Sequence, residues 1–321
     1  MTYVLLIIGF LLLIKGADYF VDGASKIARA LHVSPLLIGL TIVAFGTSSP
    51  EGTVSIVASL EESAGVSIGN VIGSNIFNIT LVVGLTAILN PLTVKRETIR
   101  KQIPFTLIAS VAFLVVISDV RLQSMGENLI TRSDGIILLL FFAIFLYYLF
   151  EVARTSKEEE VNQQSTDDKT NSWGKNIILT IGGLAAIIFG GELVVSNAKE
   201  IAMSFGMSET MVGLTIVAIG TSLPELMTSV TAAVKKESEI AVGNIVGSNV
   251  FNILLVLGTS SVIAPLSVDG QVFTDALLMI FLTAVLLIFS RTSYRIGKIE
   301  GIVLTIAYGS YMVFVILRNM M

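Results

Sequence analysis

Residues 39–55 read GLTIVAFGTSSPEGTVS, and residues 213–229 read GLTIVAIGTSLPELMTS, identical at 12 of 17 positions. Each copy sets a proline and a glutamate in the middle of an apolar run long enough to cross a bilayer. A carboxylate at membrane depth is costly and marks a functional site by default. A proline there removes one N–H from the helix ladder and disturbs the carbonyl four residues earlier. Paired defects, one in each half of a chain, point to a transporter's binding site.

A second block is duplicated as well. GNVIGSNIFNI from Gly69 matches GNIVGSNVFNI from Gly243 at 8 of 11 positions, with the same offset of 174 residues. Upstream, Gly16 and Asp18 align with Gly190 and Glu192 in that register. The chain is therefore two related halves. Of its 321 residues 54% are hydrophobic and only 14% charged, whereas a soluble domain is about 25% charged. This is the composition of an integral membrane protein. The lack of cysteine excludes disulfides and thiolate metal sites. With His32 the single histidine and no HExxH motif, the chain is not expected to be an enzyme. No cofactor, no nucleic acid and no obligatory protein partner are expected, and the chain reads as a monomer in the lipid bilayer.

Apolar runs of about 17 to 25 residues mark spanning helices. Ten are expected, near 3–28, 35–60, 64–89, 102–118, 134–152, 175–198, 208–234, 238–263, 272–290 and 300–317. The fold class is thus all-α integral membrane, ten transmembrane helices as two inverted five-helix repeats. The first repeat covers 1–152 and the second 175–321, with a charged, flexible linker at 153–174. The N-terminus lacks the basic region of a signal peptide and reads as the first spanning helix. With the N-terminus outside, the inner loops collect fifteen lysines and arginines and the outer ones four, a strong positive-inside bias. Both termini then face out and the linker lies in the cytoplasm of a multi-pass cell-membrane protein. Five helices is an odd number, so the second half enters the membrane in the opposite sense.

In the second copy Thr221 and Ser222 lie four and three residues before Glu225, on one helix face. Pro224 leaves the carbonyl of Gly220 without its normal partner. Thr47, Ser48, Glu51, Pro50 and Gly46 repeat the pattern. In the second block Ser74 and Asn78 share a face, as do Ser248 and Asn252. These are carboxylates, hydroxyls and amide oxygens. Such hard ligands suit Ca²⁺, and equally Na⁺, better than a soft transition metal. Two glutamates neutralise one divalent ion, as a membrane interior demands.

Blander readings exist for each feature. A membrane proline is often a plain kink. Gly69–Gly73 and Gly243–Gly247 have the spacing that lets helices pack closely. Serine and threonine often bond their own helix carbonyls. Recurrence of the whole constellation at a fixed offset weighs against all three. Asp18, Asp22 and Glu192, near helix ends, read as structural interface residues, and His32 as a loop residue.

GTSSPE and GTSLPE, each followed by GNxxGSNxFN, resemble the two repeats of the cation/calcium antiporter superfamily, and within it the prokaryotic sodium/calcium exchangers. The resemblance covers nearly the whole chain. It implies that Glu51, Glu225, Thr47 and Thr221 ligate Ca²⁺. It implies a cytoplasm-side Na⁺ site of Ala44, Thr47, Ser48, Glu51 and Ser74, and an external one of Ala218, Thr221, Ser222, Glu225 and Ser248. The alanines would lend backbone carbonyls, and Asn78 and Asn252 would sit between the two. In that family the first and sixth helices slide as a unit across the others. Two departures stand out. Asn252 replaces an aspartate found in some members, which argues for potassium independence. Ser49 stands where the second copy has Leu223.

The function that follows is secondary antiport: Na⁺ exchanged for Ca²⁺ by alternating access at one shared midplane site, with net charge movement and Ca²⁺ extrusion. The alternative is a proton-coupled Ca²⁺/cation antiporter on the same glutamates. A cation channel fits less well, because inverted repeats around a midplane site favour alternating access.

Overall fold

The computed structural model describes residues 1–122, 126–161, 173–206 and 218–320. Its long helices, in chain order, are α1 (Thr2–Leu31), α2 (Pro35–Thr47), α3 (Ser49–Leu60), α4 (Ala64–Leu89), α5 (Thr98–Val116), α6 (Arg132–Val161), α7 (Trp173–Ser204), α8 (Leu223–Val234), α9 (Ser238–Ile263), α10 (Gly270–Ser293) and α11 (Lys298–Met320). All but α2, α3 and α8 are long and apolar enough to cross a bilayer, eight helices among the described residues. Four two-residue strands tie their ends: β1 (Leu92–Thr93), β2 (Leu129–Ile130), β3 (Leu266–Ser267) and β4 (Arg295–Ile296).

Local sequence sets the breaks. Helix α1 ends where His32 takes the left-handed conformation, φ 55°, so the histidine is a turn residue as expected. Ser34 then caps the next helix, accepting the Leu37 N–H at 3.3 Å, with Pro35 in its first turn. The expected span 35–60 is two helices, α2 and α3, interrupted at Ser48. Of the expected span 208–234, residues 207–217 lie outside the described residues, and a single turn at Ala218–Gly220 precedes α8. Several boundaries differ from expectation, most of all the end of α6. Helix α6 runs to Val161, well past 152, and α7 already starts at Trp173. The charged stretch SKEEE consists largely of good helix formers, so polarity alone does not end the helix. Residues 162–172 of the expected linker lie outside the described residues.

Polar residues are buried among the hydrophobic core, and many large apolar side chains face outward. Ser55, Ser59, Asn75, Asn244 and Asn249 are buried, while Ile7, Leu140, Phe150, Ile178 and Phe281 are exposed, the pattern of a protein whose outer solvent is lipid. Helices α4 and α9 form the centre. Buried residues make up 78% and 94% of their apolar windows, against 22% to 39% in the other six.

The two halves are interleaved. Leu92 of β1 pairs with Ile296 of β4, and Leu129 of β2 with Ser267 of β3. Gly84 of α4 lies against Gly301 of α11, and Gly258 of α9 against Gly135 of α6. Each half thus packs the end of its central helix on the last helix of the other. Gly243 and Gly247 of α9 are pressed on α2, where a Cβ on Gly243 would stand 2.6 Å from the Leu36 carbonyl. Gly69 and Gly73 have no such neighbour among the described residues.

Helices α1 and α7 form a long pair. A Cβ on Gly16 would fall 2.9 Å from the Gly183 carbonyl, and one on Gly183 2.5 Å from the Phe20 nitrogen. Backbone meets backbone, with no room for a side chain. This pair is tied to the rest by Lys235, at the end of α8, whose Nζ lies 2.6 Å from both Asp18 and Asp22 of α1. Those two aspartates thus join two helices by ion pairs.

Candidate ion-binding site

The duplicated motif breaks the helix at a serine, not at the proline. Ser48 (φ −83°, ψ 3°) and Ser222 (φ −92°, ψ 6°) leave helical geometry at equivalent positions. Pro50 and Pro224 then fall in the first turn of α3 and α8, where a missing N–H has no helical partner to lose. The Gly46 carbonyl, expected to be free, is bonded by an N–H at the cap. What the break does is turn Glu51 and Glu225 inward in the first turns of α3 and α8. There the positive end of the helix dipole favours a carboxylate.

Both glutamates are fully buried, and each is held by the opposite half. Ser222 Oγ donates to Glu51 Oε1 at 2.9 Å, and Ser48 Oγ donates to Glu225 Oε1 at 2.8 Å. Ser74 Oγ lies 3.0 Å from Ser222 Oγ. Thr47 and Ser248 lie alongside Glu225. Neither has a basic partner among the described residues.

Half of the carboxylate oxygens are left over. Glu51 Oε2, Glu225 Oε2, Ser248 Oγ, Asn78 Oδ1 and Asn252 Oδ1 are buried atoms without hydrogen-bond partners among the described residues. An orphaned buried acceptor costs about 1–3 kcal/mol, and more when charged. Several on one set of motif residues, two of them carboxylate oxygens, suit a cation: it replaces the missing donors and offsets the charge.

The structure buries most of the predicted residues. Ala44, Thr47, Ser48, Glu51, Ser74, Asn78, Ser222, Glu225, Ser248 and Asn252 are all buried, and Thr221 is half-buried. The Ala44 carbonyl already accepts the Ser48 N–H at 3.0 Å. Ala218 opens the short turn before the break, and its side chain lies outside the described residues. Asn78 and Asn252 sit in the π-helical turns Asn78–Val82 and Phe251–Val256, a local widening frequent at functional sites. A cavity of about 260 Å³, lined by Phe45, Ser48, Ser49, Thr53 and Phe251, reaches Ser48.

Four asparagines escaped the sequence reading. Asn78 donates to Asn249 Oδ1 and Asn252 to Asn75 Oδ1, both at 3.3 Å. Asn70 donates to the Glu51 carbonyl at 3.1 Å, and Asn244 to that of Glu225 at 3.4 Å. All four stand at matched positions of the second duplicated block, which was the signal available.

Comparison with known proteins bears on this site. The profile of the family described as sodium/calcium exchanger protein matches residues 1–151 and 175–317. The sodium/calcium exchanger MaX1 of Methanosarcina acetivorans is 35% identical over 341 residues, covering 97% of both chains. The inner membrane protein YrbG of Escherichia coli K12 is 37% identical over 308 residues, 94% of this chain and 92% of its own. A solved structure of the sodium-calcium exchanger NCX_Mj, soaked with Na⁺ and Ca²⁺, superposes with a TM-score of 0.82 at 33% identity, covering 97% of each chain.

Proposed function

The chain belongs to the sodium/calcium exchanger protein family, and we propose that it exchanges Na⁺ for Ca²⁺ across the cell membrane at one shared site. Membership places it among cation transporters, not enzymes. The single observation that carries the reading is the pair of buried glutamates, each with one oxygen bonded by the opposite half and one without a partner among the described residues.

On this reading Glu51, Glu225, Thr47 and Thr221 hold Ca²⁺. Ala44, Ser48 and Ser74 complete a Na⁺ site on one side, and Ala218, Ser222 and Ser248 one on the other. Asn78 and Asn252 lie between them. Ca²⁺ and Na⁺ compete for the same carboxylates, so the site releases one kind of ion to take the other. That competition is the coupling. Exchange of several Na⁺ per Ca²⁺ moves net charge and lets the membrane potential drive Ca²⁺ out.

The same reading makes the fold ten spanning segments in two inverted five-helix halves, the broken pairs α2–α3 and the turn plus α8 counting as one each. The reciprocal pairing of β1 with β4 and β2 with β3 supports it. So do the matched contacts of Gly84 with Gly301 and Gly258 with Gly135. The distribution of lysine and arginine supports both termini outside and the linker in the cytoplasm. Alternating access then comes from the α1–α7 pair moving against the remaining helices.

The test is Glu225→Gln in proteoliposomes. The substitution keeps shape and the hydrogen bond to Ser48 but removes one of two charges that bind a divalent ion. Ca²⁺ uptake should fall to background while the protein still elutes as a folded species on size exclusion. Normal uptake by this variant would overturn the site.

A further inference from the structure

The duplicated asparagines Asn70 and Asn244 do more than fill space. Each spends its amide hydrogens on its own half. Asn244 donates to the Glu225 carbonyl at 3.4 Å and to Ser229 Oγ at 2.9 Å, and Asn70 to the Glu51 carbonyl at 3.1 Å and to Ser55 Oγ at 2.9 Å. A carbonyl only accepts, so the side facing it must be the NH₂. That fixes the amide orientation and leaves the Oδ1 atom for the other half. There Thr47 Oγ1 donates to Asn244 Oδ1 at 2.9 Å, and Thr221 Oγ1 to Asn70 Oδ1 at 3.4 Å.

A hydroxyl that ligates a cation must turn its lone pairs to the ion, so its one proton has to point elsewhere. Left alone, a helical threonine gives that proton to its own backbone. Thr47 has this option in the Val43 carbonyl at 3.1 Å and the Ala44 carbonyl at 3.4 Å. The Asn244 oxygen is the nearest of the three acceptors. We propose that Asn70 and Asn244 are positioning residues for ion binding: each takes the proton of the opposite half's threonine, setting its lone pairs for the cation, while pinning its own half's glutamate backbone. The inference rests on the proposed Ca²⁺ site and adds to it. A shift of either half relative to the other would disturb both ligands at once, so the asparagines also make the site dependent on how the halves are docked.

A double-mutant cycle tests this, read as Ca²⁺ binding to the purified full-length protein by titration calorimetry. Thr47→Val and Asn244→Leu should each weaken Ca²⁺ binding by about tenfold, the worth of one hydrogen bond next to charge. If the asparagine acts through the threonine, the double variant should be weaker by about tenfold also, not by the roughly hundredfold of independent sites. In proteoliposomes the KM for Ca²⁺ should rise with Vmax nearly unchanged, a split that general loosening of the fold would not give. A multiplicative double variant would overturn the positioning role while leaving the Ca²⁺ site standing. A wild-type protein without Ca²⁺ affinity would overturn the site and the inference with it. Should Asn244→Leu not fold, the equivalent cycle of Asn70→Leu with Thr221→Val, at a half-buried asparagine, decides the matter by the same criterion.

Discussion

At the scale of single residues, the chemistry rests on hydroxyl groups that cross between halves. Spacing along one helix puts Thr221, Ser222 and Glu225 on a common face and suggests that they act together. In the folded chain Ser222 instead serves Glu51, and Ser48 serves Glu225. The motif residues were legible because they recur at a fixed offset. Their partnership was not, since nothing in a linear sequence says which copy a hydroxyl faces. The same holds for Asn70, Asn75, Asn244 and Asn249, whose positions in GNxxGSN look like packing until the other half is in view. The cross-bonding makes a sharp expectation for Ser222→Ala. It removes the donor on Glu51 Oε1, and the Ca²⁺ concentration for half-maximal uptake should rise about tenfold. An unchanged concentration dependence would mean that Ser222 does not orient Glu51.

At the scale of helices, composition and hydropathy located nearly every element, and the misses have local causes. Break points depend on φ and ψ of one residue, and Ser48 carries the break although Pro50 announces it. Helix α6 keeps its apolar span at Arg132–Arg154, as expected, but continues to Val161 because SKEEE carries a helix well. Close helix contacts were legible as small-residue spacing at Gly243–Gly247, where the structure shows them. The contact of α1 on α7 runs through Gly16 and Gly183. A methyl on Gly183 would meet the Phe20 backbone, which has no free rotation to escape. Gly183→Ala should therefore destabilise the purified protein by about 1–3 kcal/mol, seen as a lower thermal midpoint in detergent. The adjacent Gly182→Ala, with no atom within 4 Å of its Cβ, should be close to neutral. Equal midpoints for the two variants would contradict this account of the helix pair.

At the scale of the whole molecule, the duplication carries the architecture. Two copies with the same offset predict a site built from both halves, and the glutamates, serines and asparagines meet in that arrangement. The interleaving of the halves, each resting its central helix on the other's last, was beyond the reach of the sequence because it depends on contacts more than a hundred residues apart. It also explains the mechanics proposed for transport. On the proposed mechanism the interleaved helices move as one body and the α1–α7 pair, packed backbone to backbone, as another. The described ion pairs of Lys235 with Asp18 and Asp22 hold the two together at one end. The central claim is that movement between these bodies exchanges Na⁺ for Ca²⁺. It is tested most directly by radiolabelled Ca²⁺ uptake into proteoliposomes loaded with Na⁺, set against the same vesicles loaded with choline at fixed pH. The account predicts uptake only with the outward Na⁺ gradient. Uptake that ignores Na⁺ and follows an imposed pH gradient would contradict it.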